Sequence, residues 1–153
     1  MKLAIATDHA GYDFKEGLAA FLRSKGHEVE DLGAYNKQPS DYPDYAGKLG
    51  RYVVEGKARF GILICGSGIG MTIAANKVHG VRAALCHDLY TARMSRSHND
   101  ANVMVLPSRL LALAISEEMT ELFLATEFEG GRHAGRVDKI MRMDACGGAA
   151  DGG

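Results

Sequence analysis

Apolar residues occur in short runs, and between the runs they recur at helical spacing. The first run, Leu3 to Thr7 (LAIAT), suits one buried strand and stops at Asp8-His9-Ala10-Gly11. Between Tyr12 and Lys25, Phe14, Leu18, Phe21 and Leu22 recur with a helical period, and Gly26 is a helix stop. His27 to Leu32 (HEVEDL) alternates and predicts a second strand, and the polar stretch 36–41 with Pro39 predicts a loop. A helix from about Pro43 to Glu55 places Tyr45, Leu49, Tyr52 and Val53 on one face, with Pro43 suited to the first turn.

Phe60 to Cys65 reads as a third strand running into a glycine loop, followed by a short helix over Met71 to Lys77. A fourth strand is expected over Val81 to Cys86, a helix over Leu89 to Arg96, and a fifth strand over Ala101 to Leu106. Leu110 to Thr126 predicts a long amphipathic helix with Leu111, Ile115, Met119 and Leu122 toward the core. After Gly130-Gly131 a last helix is expected from His133 to Met143, then a small, polar, flexible tail. The chain thus divides into one domain, 1–143, and a C-terminal tail, 144–153.

This alternation implies a parallel sheet covered on both faces, since each parallel crossover needs about a dozen residues. The expected architecture is a single-domain, Rossmann-like, three-layer α/β/α sandwich. It has a five-stranded parallel sheet in the order 2-1-3-4-5 and an extra C-terminal helix. Ligands of such sheets bind at the carboxyl ends of the strands where the order reverses, here between the first and third strands. The loops at Asp8-His9 and at Cys65 to Gly70 therefore open into one crevice.

Composition narrows the classes. In 153 residues, 46% are apolar and 24% charged, so a proper core is available. The net charge of -1 gives no global attraction to nucleic acid or to an anionic membrane. No apolar run approaches ~20 residues, and the N-terminus lacks the long apolar segment of a signal peptide, so a cytoplasmic protein is expected. Cysteines stand at 65, 86 and 146, too scattered for a disulfide framework or a C-x-x-C zinc site. No two of the six histidines are paired at i, i+2 or i, i+4, and no metal is expected.

The glycine loop, GILICGSGIG at 61–70, allows several readings. A dinucleotide fingerprint needs G-x-G-x-x-G after the first strand, whereas here Met71 takes the last required position and the loop follows the third strand. Asp88 falls roughly where a ribose-binding acid would lie, but the Gly-Lys-Ser/Thr of a Walker loop is absent. A tight strand-to-helix turn without a ligand is the plain structural reading. The third option is an oxyanion site, in which the N–H groups of 66–70 converge at a helix start. A thiol in such a place is often acidified into the range ~3.5–7.5, which makes Cys65 a sensible base or nucleophile. A cysteine at a buried strand end is otherwise inert core.

Taken together, DHAG, DYPDYA, GILICGSGIGMTIAANK, HNDANV and EGGRHAGRV resemble the RpiB/LacAB sugar-phosphate isomerases, the ribose-5-phosphate isomerase B family, in order and spacing over residues 1 to about 143. The resemblance implies an aldose–ketose isomerase of the pentose phosphate pathway. It would interconvert D-ribose 5-phosphate and D-ribulose 5-phosphate through a cis-enediolate, without a cofactor. Cys65 takes the place of the base that moves the proton between C1 and C2. The amides of Gly66, Gly68, Ile69 and Gly70 would stabilise the oxyanion, a donor of this kind being worth about 3–4 kcal/mol. Ser67 replaces a threonine common in relatives, and is expected to hold Cys65 or contact the sugar.

His98 takes the ring-opening acid/base position, for which imidazole is suited because its ordinary pKa is about 6.5. Asn99, Asp8 and Tyr42 are expected to contact the sugar. His9, Arg109, Arg132 and Arg136 are expected to bind the phosphate; the last two lie four apart and share a face if helical. Read alone, His98 or any one arginine is an ordinary surface residue. The family's site is completed across a dimer interface, so a homodimer with shared active sites is expected, or a dimer of such dimers. A last helix with no place on a covered sheet fits that expectation.

The presence of His98 and of GGRHAGR favours the ribose type over galactose-6-phosphate isomerase subunits. Allose 6-phosphate remains an alternative substrate, and a nucleotide- or phosphate-binding module without catalysis is the alternative outside enzymes.

Overall fold

A computed structural model describes residues 1–146. Strands β1 (Lys2–Thr7), β2 (Glu28–Asp31), β3 (Phe60–Cys65), β4 (Ala83–Leu85) and β5 (Val103–Pro107) form one sheet, and every pairing is parallel. Helices α1 (Tyr12–Ser24), α4 (Leu89–Ser97) and α5 (Leu113–Ala125) cover one face. Helices α2 (Tyr42–Val54) and α3 (Ile69–Ala75) cover the other, and α6 (Ala134–Cys146) follows a short 3₁₀ turn at Gly131–His133. Among the described residues no helix is long and apolar enough to cross a membrane. Helix α6 runs three residues into the stretch expected as tail; the glycine-rich end at 147–153 lies outside the described residues.

The period of two along each strand splits the core into two layers. Leu3 and Ile5 of β1, Ile62 and Ile64 of β3, and Met104 and Leu106 of β5 pack with Leu18, Leu22, Met119 and Phe123. Ala4, Ala6, Leu63, Cys65, Val103 and Val105 pack on the opposite side with Leu49, Val53 and Met71. Cys65 therefore projects toward the α2–α3 layer, at the last position of its strand.

The strand order is β2-β1-β3-β5-β4 and not 2-1-3-4-5. The reason is burial. The residues of β5, VMVLP, are all buried and need a neighbour on each side, whereas the three residues of β4 are half-buried and suit an edge. The outer side of β4 is closed by Asn76. Its amide donates to Ala83 O at 2.9 Å and its carbonyl accepts from Ala83 N–H at 2.8 Å. Because the chain turns back from β4 to β5, the right-handed crossover carries α4 to the α1–α5 side. The order also brings the end of β5 beside the end of β3: Ser108 N–H donates to Cys65 O at 2.9 Å and Arg109 N–H to Gly66 O at 3.1 Å. In the expected order a further strand, roughly 4.8 Å wide, would separate them.

Two helix faces differ from their apolar stripes. The core face of α5 holds Met119 as expected, but with Ser116, Thr120 and Phe123, while Leu122 is only half-buried. The hydroxyls of Ser116 and Thr120 donate to Ala112 O (3.1 Å) and Ser116 O (2.7 Å), so they enter the core with their hydrogen bonds made. In α1, Lys15 is fully buried beside Leu18, Ala19 and Leu22. It is paired with Asp31 and donates to Ala34 O at 2.8 Å. The segment it holds extends the pairing of β1, with Thr7 N–H on Gly33 O and Ala34 N–H on Thr7 O, both 2.7 Å. The backbone leading into Asp8 is fixed in this way.

Candidate active site

At the carboxyl edge of the sheet, the loops after β1, β3 and β5 enclose a crevice of about 220 Å³. Asp8, His9, Tyr42, Cys65, Gly66, Ser67, Gly70 and Arg109 line it. Asp8 is buried, and its carboxylate accepts Ala10 N–H at 3.0 Å, which turns the chain sharply after β1. Ser40 holds His9 from the opposite wall: Ser40 N–H donates to Nδ1 at 3.2 Å, and His9 N–H donates to Ser40 Oγ at 3.2 Å. Nδ1 also stands 3.3 Å from Ser40 O, so the ring is held against this wall while Nε2 has no partner in it.

The glycine loop serves the sulfur first. Gly68 has φ +76°, a left-handed conformation that glycine adopts without strain, and its N–H donates to Cys65 Sγ at 3.2 Å. Ile69 N–H donates to Ser67 Oγ at 3.3 Å. Two of the amides expected at the oxyanion are thus engaged inside the loop, and the contact expected of Ser67 on the sulfur is made by Gly68. The N–H groups of Gly66, Ser67 and Gly70, whose residues line the crevice, are the donors left for a ligand. Ile69 itself points its side chain outward and is more than half exposed.

Two walls stand against glycines. A Cβ on Gly66 would lie 3.0 Å from Arg109 Nε, and a Cβ on Gly70 would lie 2.6 Å from Tyr42 Cζ. The guanidinium of Arg109 and the ring of Tyr42 therefore approach the loop backbone as closely as they do because no side chain intervenes.

The structure does not bring His98, Asn99, Arg132 or Arg136 to this crevice. Helix α4 runs antiparallel to the strands, so His98 at its C-terminal cap lies at the amino edge of the sheet, just before β5 begins. Cys65 lies at the carboxyl edge. The five residues of β5 alone separate the two edges by roughly 16 Å. Asn99 lines a larger cavity of about 380 Å³ beside β4, with Tyr90, Met94 and Ile140 among its walls. Arg132 lies in the 3₁₀ turn and Arg136 in the first turn of α6, both exposed, so they do not share one continuous helix.

His98 has company that the sequence pattern did not disclose. The His133 ring lies parallel to it, with centroids 4.1 Å apart and planes at 11°. Glu129 Oε2 stands 3.9 Å from Nε2 of each ring. These three donor atoms lie within 4.8 Å of one another. Stacked imidazoles nevertheless direct their lone pairs in two parallel planes, and Arg132 Nε donates to His133 Nε2 at 3.4 Å. That set does not fit a divalent ion. Burial, and next the charges of His98 and Arg132, hold the His133 imidazole below the usual histidine range. The only hint in the sequence was Gly130-Gly131, a turn that reverses the chain over α4.

The family model described as ribose/galactose isomerase matches residues 3–140. Ribose-5-phosphate isomerase B of Escherichia coli (strain K12) is 41% identical over 143 residues, which is 94% of this chain and 96% of that protein. D-erythrulose-4-phosphate isomerase of Pectobacterium atrosepticum is 42% identical over 144 residues, covering 92% and 93%. The crystal structure of a ribose 5-phosphate isomerase from Thermotoga maritima superposes with a TM-score of 0.91 at 49% identity, covering 92% of this chain and 97% of that one.

Proposed function

The chain belongs to the ribose/galactose isomerase family, and we propose that it interconverts D-ribose 5-phosphate and D-ribulose 5-phosphate at the Cys65 crevice. In this reading the Cys65 thiolate takes the proton from C2 of the open-chain aldose. The electron pair forms the C1–C2 double bond and the carbonyl oxygen O1 becomes the oxyanion of a cis-enediolate. A proton passes from O2 to O1, and the thiol returns its proton to C1, leaving the ketone at C2. The amides of Gly66, Ser67 and Gly70 are the donors for that oxyanion. Asp8 and Tyr42 hold the sugar, and His9 and Arg109 face its anionic parts. The reaction needs no redox cofactor, since the substrate is its own hydride-free oxidant and reductant.

The observation that carries this reading is Cys65 itself. The thiol closes β3 at the switch point of the sheet, with an amide N–H aimed at its sulfur and a cation, Arg109, on the adjoining strand end. The same geometry leaves ring opening unserved within one subunit, because His98, Arg132 and Arg136 stand at the other edge. A homodimer resolves this: a second copy lends His98 as the ring-opening acid/base, Asn99 for a sugar hydroxyl, and Arg132 and Arg136 as the phosphate clamp.

Subunit complementation tests both halves. Cys65→Ala and His98→Ala homodimers are each inactive on ribose 5-phosphate. Mixed and reassembled one to one, half the dimers are hybrids and each hybrid has one intact shared site, so about a quarter of wild-type activity returns. No recovery defeats the shared site. No turnover by the wild type with or without EDTA, together with tight nucleotide binding, makes the chain a binding module. Faster turnover of D-erythrulose 4-phosphate or allose 6-phosphate reassigns the substrate.

A further inference from the structure

The turn after α5 stacks one imidazole on another. Gly130 and Gly131 have φ of +65° and +53°, conformations that other residues adopt only with strain, and His133 N–H donates to Gly130 O at 2.9 Å. The turn is tied to α4 by Glu129 N–H, which donates to Ser97 O at 3.0 Å, one residue before His98. The His133 ring is buried, whereas the His98 side chain is about one-third exposed. Their planes lie 11° apart with centroids at 4.1 Å, and the Glu129 carboxylate spans both Nε2 atoms at 3.9 Å.

A histidine side chain has a broad, two-fold χ2 well. A group that must carry a proton between two oxygens of one sugar has to present one ring edge in one plane. The buried ring of His133 supplies that constraint, because rotation of His98 about χ2 would break the parallel contact along its whole face. Arg132 Nε donates to His133 Nε2, and burial favours the neutral form of the His133 ring.

We propose that His133 is a positioning residue whose stacked ring fixes the plane of His98 for opening the sugar ring. The proposal rests on the ring-opening reading of His98 given above.

The test separates ring opening from proton transfer. Ribose 5-phosphate enters as a furanose and needs both steps. Ribulose 5-phosphate is already open, because its C5 oxygen is esterified and cannot close a five-membered ring on C2. Exchange of its C1 proton with solvent D₂O, followed by NMR, therefore calls on Cys65 alone. All rates are read at saturating sugar phosphate, so that weaker anion binding through Arg132 does not enter.

His133→Ala is expected to lower kcat on ribose 5-phosphate by about a hundredfold while C1 exchange stays close to the wild-type rate. His133→Phe keeps a ring in the stack and is expected to recover most of the lost turnover. Equal losses in both measurements mark a merely structural role and overturn the proposal, as does wild-type turnover by His133→Ala. A His98→Ala control keeps the two readings apart. If that variant turns over ribose 5-phosphate normally, the ring-opening reading fails. If it is inactive while His133→Ala is normal, only the stack fails.

Discussion

Gly70→Ala is the sharpest probe of the crevice. The added Cβ would lie 2.6 Å from Tyr42 Cζ, 2.7 Å from Cε2 and 3.1 Å from Cε1. Ordinary carbon contacts start near 3.5 Å, so the ring must retreat by about 1 Å. Tyr42 is 41% exposed and its ring has open solvent to move into, so the backbone stays where it is. Stability changes little. Overpacking costs about 1–3 kcal/mol, and alanine in the first turn of α3 returns about 1 kcal/mol over glycine. The net of about 0–2 kcal/mol lowers Tm by no more than about 8 °C in a chain of this size.

Activity suffers more, because the ring that the methyl group displaces is a wall of a site of about 220 Å³. A 1 Å misplacement at such a site costs about a hundredfold in kcat/KM, equivalent to about 2.7 kcal/mol. The double-mutant cycle with Tyr42→Ala, followed by isomerase kinetics and thermal unfolding, isolates the clash. Once the ring is gone, adding Gly70→Ala is expected to cost little further activity. Strict additivity of the two losses, or wild-type kcat/KM in Gly70→Ala alone, refutes the contact as the determinant of crevice shape.

Two further outcomes are expected. Arg132→Ala raises KM for the phosphorylated sugar with a much smaller effect on kcat, measured by steady-state kinetics; an unchanged KM removes Arg132 from the clamp. Asp88 caps α4 through a reciprocal pair with Thr91, whose N–H is the main cause holding the Asp88 carboxyl below the usual aspartate range. A carboxyl lowered in the folded state contributes stability above its unfolded value, about 3.9, and loses it as pH falls through the folded value. Urea unfolding of wild type and Asp88→Asn at pH 7 and pH 3 is expected to show the wild type's advantage shrinking at the lower pH; an advantage that holds or grows there contradicts the cap assignment.

Much of the fold was legible because its signals are local. Apolar runs of five or six residues ending in glycine, such as FGILIC before Gly66, declare buried parallel strands whatever their neighbours are. The crevice followed from the same signals, since loops after strands gather at one edge of any parallel sheet. What periodicity missed depends on partners distant in the chain. Lys15 shares a helical stripe with Leu18, Ala19 and Leu22, yet its burial is tolerable because Asp31, Glu16 and Ala34 O meet its ammonium. Ser116 and Thr120 read as polar and sit in the core because their own helix accepts their hydroxyl protons.

The strands and helices, the glycine loop, and the placing of Cys65 at the mouth of a crevice follow from residue spacing and backbone sterics within a few positions. That β5 lies between β3 and β4, and that His98 stacks on His133 at the sheet edge opposite Cys65, emerges from the packed molecule alone. Strand order and ring stacking are set by which buried surfaces meet in space, and no local period encodes a meeting between residues so far apart along the chain.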